Sequence, residues 1–313
     1  MINLADIIIS SGRSAVELAL FVILPVMIVM LSIMRLAEAF GLLDRLINLL
    51  APLTRPLGLP GVGLLALIQN ILVSAFAPLA TLAMMDKSDL PRRQIAATLA
   101  LVLGTAQANA VFPLSALGLN GLATIGISVV AGFIGAAATY YLFARHLPVR
   151  EVASEPAPNH AQAEDAKTVL AVINKAGAEA FRIAVGALPM LVLSLVLVNV
   201  LRTSGGLGAL ESLLAPLFSA IDLPAASALL VVTKFIAGGS AMMAVAVEFV
   251  NTDLMLIGDV NRLAGFLIHP LDIAGVAILL SAGPRVAEVA RPAMAGAVVA
   301  ILIRTAAHGV LFS

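Results

Sequence analysis

The sequence predicts an all-α, polytopic membrane protein: about eight transmembrane helices in two homologous repeats, with amphipathic interfacial helices and broken helices. Three observations lead there. The 313 residues are 61% hydrophobic and only 12% charged, with a mean hydropathy of +1.08, whereas soluble domains run near about 45–50% apolar and about 25% charged. The apolar runs are continuous and rich in Leu, Ala and Met rather than alternating, which selects helices over a membrane barrel. And the chain falls on itself, without a gap, when shifted by 164 residues.

Spans of roughly 20 apolar residues, the length a bilayer core requires, are expected near 14–35, 60–84, 94–112 and 119–143, then near 183–201, 223–249, 261–281 and 292–312. The first is expected to be a structural helix rather than a signal peptide: only Arg13 supplies positive charge before it, and its apolar core is too long, although Ala37-Glu38-Ala39 resembles a cleavage site. Between the first two spans, Leu42, Leu43, Leu46, Leu49, Leu50 and Leu53 recur at helical spacing around Asp44, Arg45 and Asn48, the pattern of an amphipathic helix lying in the interface. Residues 209–220 repeat it. The one linker is 146–168, polar and Pro-bearing, so the expected organisation is a first repeat over 1–145, the linker, and a second repeat over 169–313.

The duplication is densest where Gly41–Pro60 meets Gly205–Pro224, with ten of twenty positions identical, among them Leu49-Leu-Ala-Pro-Leu53 against Leu213-Leu-Ala-Pro-Leu217. Pro25 matches Pro189 and Gly132 matches Gly296 at the same offset. Such repeats are a recurring plan of secondary transporters, with substrate held at the repeat interface near the midplane. They also build inert scaffolds. Four spans per repeat make the halves parallel, and the distribution of Arg and Lys then puts both termini and the linker in the cytoplasm. Reading 94–118 as a re-entrant hairpin would invert the second half instead.

Polar residues inside a membrane helix are expensive and usually face a cavity or another helix. Thr105, Gln107 and Asn109 lie within five residues, between Gly104 and Pro113. At offset 164 stands His269-Pro-Leu-Asp272. A helix broken at membrane depth exposes backbone groups, which is tolerated where they line a cavity or bind a ligand; the plainer reading is a proline kink repaired by neighbouring side chains. Lys234 and Asp272 both fall near a bilayer centre, and pairing is the simplest remedy for their charge. That pair is either a structural bridge or a contact for a polar substrate or a proton. Ala237-Gly-Gly-Ser240 follows Lys234 and could open the helix, and the matching place in the first half has Gln69, Asn70 and Ser74. His269, three residues before Asp272, shares its face if the helix survives Pro270 and would suit proton coupling. Arg304, His308 and Glu248 read as packing or interfacial residues, and the small residues at 131–138 and 293–297 as a helix–helix seam.

The excluded classes are as informative. Eighteen basic residues balance eighteen acidic ones, leaving no electrostatic footprint for nucleic acid. With no Cys and four His there is no thiolate chemistry and no metal-binding spacing; no cofactor is indicated. Walker A, HExxH and GxSxG are absent, so neither an enzyme nor a self-powered ATPase is expected.

The stretch Leu213-Leu-Ala-Pro-Leu217, Asp222-Leu-Pro224, Lys234-Phe-Ile-Ala-Gly-Gly-Ser240, Ile257-Gly-Asp-Val-Asn-Arg-Leu-Ala-Gly265 and His269–Asp272 resembles the nucleoside recognition (Gate) domain. That domain occurs in spore maturation proteins A and B, in concentrative nucleoside transporters and in the membrane part of bacterial ferrous-iron transporters. The resemblance is closest to spore maturation protein B over 205–285 and looser over 41–125. The family often carries Arg-Pro where Lys234-Phe235 stands, and Thr and Glu within the segment occupied by His269–Asp272, so the substrate does not carry over. What the resemblance implies is a gate-type transport module in a bacterial inner membrane. It would bind a small polar solute, a nucleoside among the options, through Thr105, Gln107, Asn109, Lys234, Ser240, His269 and Asp272. Its partners would be the lipid bilayer and that solute, with a homo-oligomer left open. The alternative is a non-transporting scaffold or regulator; a passive channel would need a more continuous polar lining.

Overall fold

The computed structural model describes residues 4–147, 168–206, 209, 212, 213, 216, 218 and 223–313. Every regular element among them is helical. Five are long and apolar enough to cross a membrane: α1 (Leu4–Ala39), the segment Arg92–Ser115, α7 (Gly121–Phe143), Val169–Leu201 and Ala290–Leu311. A bent pair, Arg45–Leu57 with Gly61–Leu72 at 110°, would make a sixth.

Three of the expected spans are each divided into two half-helices. Residues 60–84 form α3 (Gly61–Leu72) and α4 (Leu79–Lys87). Residues 223–249 form α9 (Ser227–Ala237) and α10 (Gly239–Asn251), and 261–281 form α11 (Ile257–Leu267) and α12 (Ile273–Leu280). Arg92–Ser115 is itself interrupted, into α5 (Arg92–Gly104) and α6 (Ala108–Ser115). Pro113 sits inside α6; the interruption comes at Thr105–Gln107, where Thr105 and Gln107 turn extended. The interfacial helix is α2 (Leu42–Thr54), which buries Leu43 and Ile47 and leaves Leu42, Leu46, Leu49 and Leu53 exposed, an amphipathic surface suited to lipid. Its expected counterpart at 209–220 and the linker at 146–168 lie largely outside the described residues.

The first apolar run starts earlier than its hydropathy suggests and is part of the core: α1 packs along α8 (Val169–Thr203) with Met27 and Leu31 fully buried. It carries a π-helical segment at Leu18–Ile23, a local widening often found at functional sites. The chain closes with α13 (Pro284–Glu288) and α14 (Ala290–Leu311). At the centre of the other half of the bundle is α5, whose residues from Ile95 to Gly104 are all buried, in contact with α3, α7 and α14. An apolar helix surrounded on all sides needs no polar face, which is why this one shows so little amphipathicity.

Lipid tails are as apolar as leucine, so close packing rather than a hydrophobic drive holds such helices together. The small-residue seam supplies it. A Cβ on Gly135 would lie 2.6 Å from the Gly296 carbonyl oxygen, and one on Gly296 would lie 1.7 Å from Thr139 Oγ1. Gly104 meets Ala300 and Gly132 meets Thr105 in the same way. The result is that α5, α7 and α14 approach nearly backbone to backbone, and the break after Gly104 is fixed against α14.

Candidate functional site

A broken helix leaves up to four carbonyls at one end and four N–H groups at the next without helical partners. Here the carbonyl ends are satisfied by the protein itself. Asn70, fully buried on α3, donates through Nδ2 to Thr105 Oγ1 at 2.9 Å, to Ala106 O at 3.2 Å and to Val102 O at 3.3 Å. Arg304, fully buried on α14, donates to Gly104 O at 3.0 Å and to Ile268 O at 2.8 Å, so one guanidinium closes the ends of both α5 and α11. Lys234 lies in the last turn of α9, where a cation complements the negative end of the helix dipole. Its ammonium donates to Asp272 Oδ2. Asp272 is in turn the N-cap of α12, its Oδ1 accepting from Gly275 N at 2.7 Å. One ion pair therefore neutralises two opposed helix ends, and both carboxylate oxygens are engaged.

The breaks converge. A cavity of about 470 Å³, within the roughly 300–1,000 Å³ of small-molecule sites, is walled by residues from each of them. The break between α3 and α4 contributes Ser74, Ala75 and Phe76; that between α5 and α6, Gln107 and Asn109; that between α9 and α10, Gly238, Gly239 and Ser240; and that between α11 and α12, Pro270 and Asp272. Ile23, at the end of the π-helical segment, and Arg182 and Gly186 of α8 complete the wall. Two breaks precede the linker and two follow it, so the cavity lies between the two halves of the chain.

Asn109 ties the breaks to one another. Its Oδ1 accepts from Ala75 N at 3.1 Å and its Nδ2 donates to Ser240 Oγ at 3.2 Å. Gly238 adopts φ 88°, a conformation glycine alone reaches cheaply, and this is what lets α9 end and α10 begin within one residue. At Gly239 a Cβ would stand 1.8 Å from Gln107 Nε2, so the second glycine is there for the close approach of that amide.

Of the seven side chains expected to contact a solute, Gln107, Asn109, Ser240 and Asp272 reach the cavity wall. Thr105, Lys234 and His269 stand behind it. Thr105 Oγ1 donates to Leu101 O at 2.8 Å and accepts from Asn70, so it is spent on the break itself. Lys234 is screened by Asp272. The helix does not survive Pro270, so His269 and Asp272 do not share a face. His269 is fully buried, its Nε2 2.9 Å from Phe266 O and its Nδ1 accepting from Leu271 N at 3.1 Å, which fixes the tautomer and leaves neither nitrogen free for a ligand or a passing proton. His308 Nδ1 lies 2.7 Å from Asn261 O, a packing role like that expected of it.

Sequence reasoning missed Arg182 and Gly275. Arg182 lies one residue before the expected start of its span, whereas α8 begins at Val169 and carries it deep into the helix. Gly275 looks like any glycine in an apolar run, yet a Cβ there would meet Pro270 O at 2.1 Å. Among the described residues no group of three or more His, Asp or Glu side chains converges in a way that could hold a metal ion.

Residues 20–140 match the family model described as Gate, nucleoside recognition. The match falls on the first half of the chain, where the sequence resemblance is looser to the eye than over 205–285. No curated protein gives a significant sequence match. Solved structures of CNTnw, a concentrative nucleoside transporter, share the fold. A double variant in an outward-facing state superposes with a TM-score of 0.67 at 19% identity, covering 93% of this chain and 74% of that one. An inward-facing, substrate-bound state gives 0.64 at 17% identity, over 92% and 74%. A variant in an intermediate state gives 0.65 at 17% identity, over 97% and 82%. The chain is a multi-pass helical membrane protein whose residues 20–140 match the nucleoside recognition (Gate) family model and whose fold is that of the concentrative nucleoside transporter CNTnw.

Proposed function

We propose that this protein is a transporter or permease-like module of a bacterial inner membrane that binds a small polar solute in the cavity between its two halves, and that it is not an enzyme. The halves, 1–145 and 169–313, are read as fused Gate-like repeats. The observation that carries the proposal is the convergence of four helix breaks on one cavity of about 470 Å³. Breaking four helices forfeits backbone hydrogen bonds that lipid cannot replace, and a scaffold gains nothing from bringing all four to the same place. A binding site does: it acquires backbone N–H groups and side chains at membrane depth, the arrangement secondary transporters use. Gln107, Asn109, Ser240 and Asp272 are the contacts, with Thr105, Lys234 and His269 holding them in place. The Gate match and the CNTnw fold support a nucleoside as the first solute to try. One chain walls the cavity alone, so the reading holds for a monomer and a homo-oligomer alike.

The test is a thermal-shift screen of purified protein against nucleosides, bases and amino acids, followed by uptake of any hit into proteoliposomes. A ligand at a hundred times its dissociation constant adds about 2.7 kcal/mol of stability. The expected result is a shift in wild type that is lost in Asn109→Ala, together with uptake lost in the same variant. If no solute shifts the wild type or crosses the membrane while Asn109→Ala merely melts earlier, the transporter reading fails and the scaffold takes its place.

A further inference from the structure

The charge around the cavity is lopsided. Its wall holds two charged side chains, Asp272 and Arg182. The Asp272 carboxylate is consumed, one oxygen by Lys234 and the other by Gly275 N–H. Arg182 makes no ion pair or hydrogen bond among the described residues, and it is exposed. It lies midway along the apolar helix Val169–Leu201, where charged side chains are rare and mark sites of function.

The helix ends add to the imbalance. Three half-helices begin at the cavity: α6 at Gln107 and Asn109, α10 at Gly239 and Ser240, and α12 at Asp272 and Ala274. That of α12 is capped by the Asp272 carboxylate, so α6 and α10 are the two that present an uncapped positive end of the dipole. The opposite, negative ends of α5, α9 and α11 are covered by Asn70, Lys234 and Arg304, which lie behind the wall. The protein thus screens its carbonyl ends and the start of α12, and leaves the N–H ends of α6 and α10, plus one unpaired Arg, toward the space.

We infer that the solute carries a negative charge, a phosphate or carboxylate group, that is received by Arg182 with the half-helix N-termini around it. This rests on the binding role proposed above and narrows its substrate class from polar to anionic.

The probes are matched pairs differing by one negative charge: uridine with uridine 5′-monophosphate, and glutamine with glutamate. Binding to the purified full-length protein in detergent is read by thermal shift and by titration calorimetry. The expected result is that at least one anionic member binds about tenfold or more tighter than its neutral twin, the scale of a charge-assisted hydrogen bond. Arg182→Gln should bring that ratio close to one while melting like the wild type, because Arg182 holds no other group in place; Arg182→Lys should keep most of it. Raising the salt concentration should weaken the anionic ligand and spare the neutral one. If a neutral twin binds as well as or better than its anion, the inference is overturned while the binding role stands. If the preference survives Arg182→Gln, the assignment of the charge to this site is overturned. If no member of any pair binds and no flux of any solute is found, both readings fall together.

Discussion

The two halves of the cavity wall solve one problem with different chemistry. In the first half the carbonyl end of α5 is met by a neutral amide, Asn70, which spreads donations over Thr105, Ala106 and Val102, while Ser128 receives Ala106 N–H and Asn109 receives Ala75 N–H. In the second half two helix ends are neutralised by a single ion pair, Lys234 with Asp272. Both satisfy the backbone. The difference lies in how the stabilisation is divided: many modest bonds on one side, one strong and fully buried bond on the other. A distributed network loses a fraction when one member is removed, whereas a buried pair that loses one member leaves an uncompensated charge.

The comparison is broken most directly at Lys234. Lys234→Met leaves Asp272 buried without its partner and is expected to cost about 3–5 kcal/mol. The double variant Lys234→Met with Asp272→Asn removes both charges, and the asparagine still accepts at the α12 N-terminus, so it should cost much less than the single one. Thermal unfolding of the four proteins in detergent completes the cycle. A single-variant cost below about 1 kcal/mol would place this pair with exposed salt bridges in energetic terms and remove the contrast between the two halves.

Arg304 tests the one group both halves share. Its guanidinium reaches Gly104 O on one side and Ile268 O on the other. Arg304→Met strands both carbonyls in a dry interior and is expected to cost about 3 kcal/mol, built from two lost charge-assisted bonds. Backbone hydrogen exchange should report opening at the ends of α5 and of α11 together. Protection lost at one end only would show that the two breaks are held independently.

How much of this the sequence announces depends on the kind of residue. The membrane class, the first polar break and the Lys234–Asp272 pair are legible because charge and amide groups are conspicuous against an apolar ground, and because a broken helix needs Gly or polar side chains at the break. What hydropathy cannot show is a span divided in two, as between α3 and α4, since half-helices and whole spans have the same composition; at Gly238 it is the Gly-Gly pair that signals the opening. Hydropathy misplaces Arg182 for a related reason: the apolar run starts at Ile183, but α8 starts at Val169, so a residue that reads as flanking the membrane is carried into it. Arg304 reads in the sequence as a packing or interfacial residue. Its task of capping two distant helix ends is not legible there, because Gly104 and Ile268 come beside it only in the folded bundle.

The tight meeting of the two halves is probed by Gly239→Ala. The new Cβ would fall 1.8 Å from Gln107 Nε2, at the end of a side chain that can swing away. The stability cost should therefore stay at the low end of overpacking, about 1 kcal/mol, while Gln107 leaves its position on the cavity wall. Solute binding should fall more than stability does, a separation visible when the same sample is melted with and without ligand. If melting and binding decline in proportion, the glycine serves packing alone.

The smallest effect on binding belongs to Thr105. Thr105→Val keeps the shape that packs against Gly132 and removes the hydroxyl that donates to Leu101 O and accepts from Asn70. Asn70 still has Ala106 O and Val102 O within reach, so the network should absorb the loss at about 0.5–1.5 kcal/mol, the net worth of one ordinary hydrogen bond. Binding should be nearly unchanged, because the hydroxyl lies behind the wall rather than on it. Measured beside Lys234→Met, this variant puts the contrast between the halves on one scale: a loss from Thr105→Val as large as that from Lys234→Met would mean that the neutral network is as brittle as the charged pair, and that charge was not what set the two sides apart.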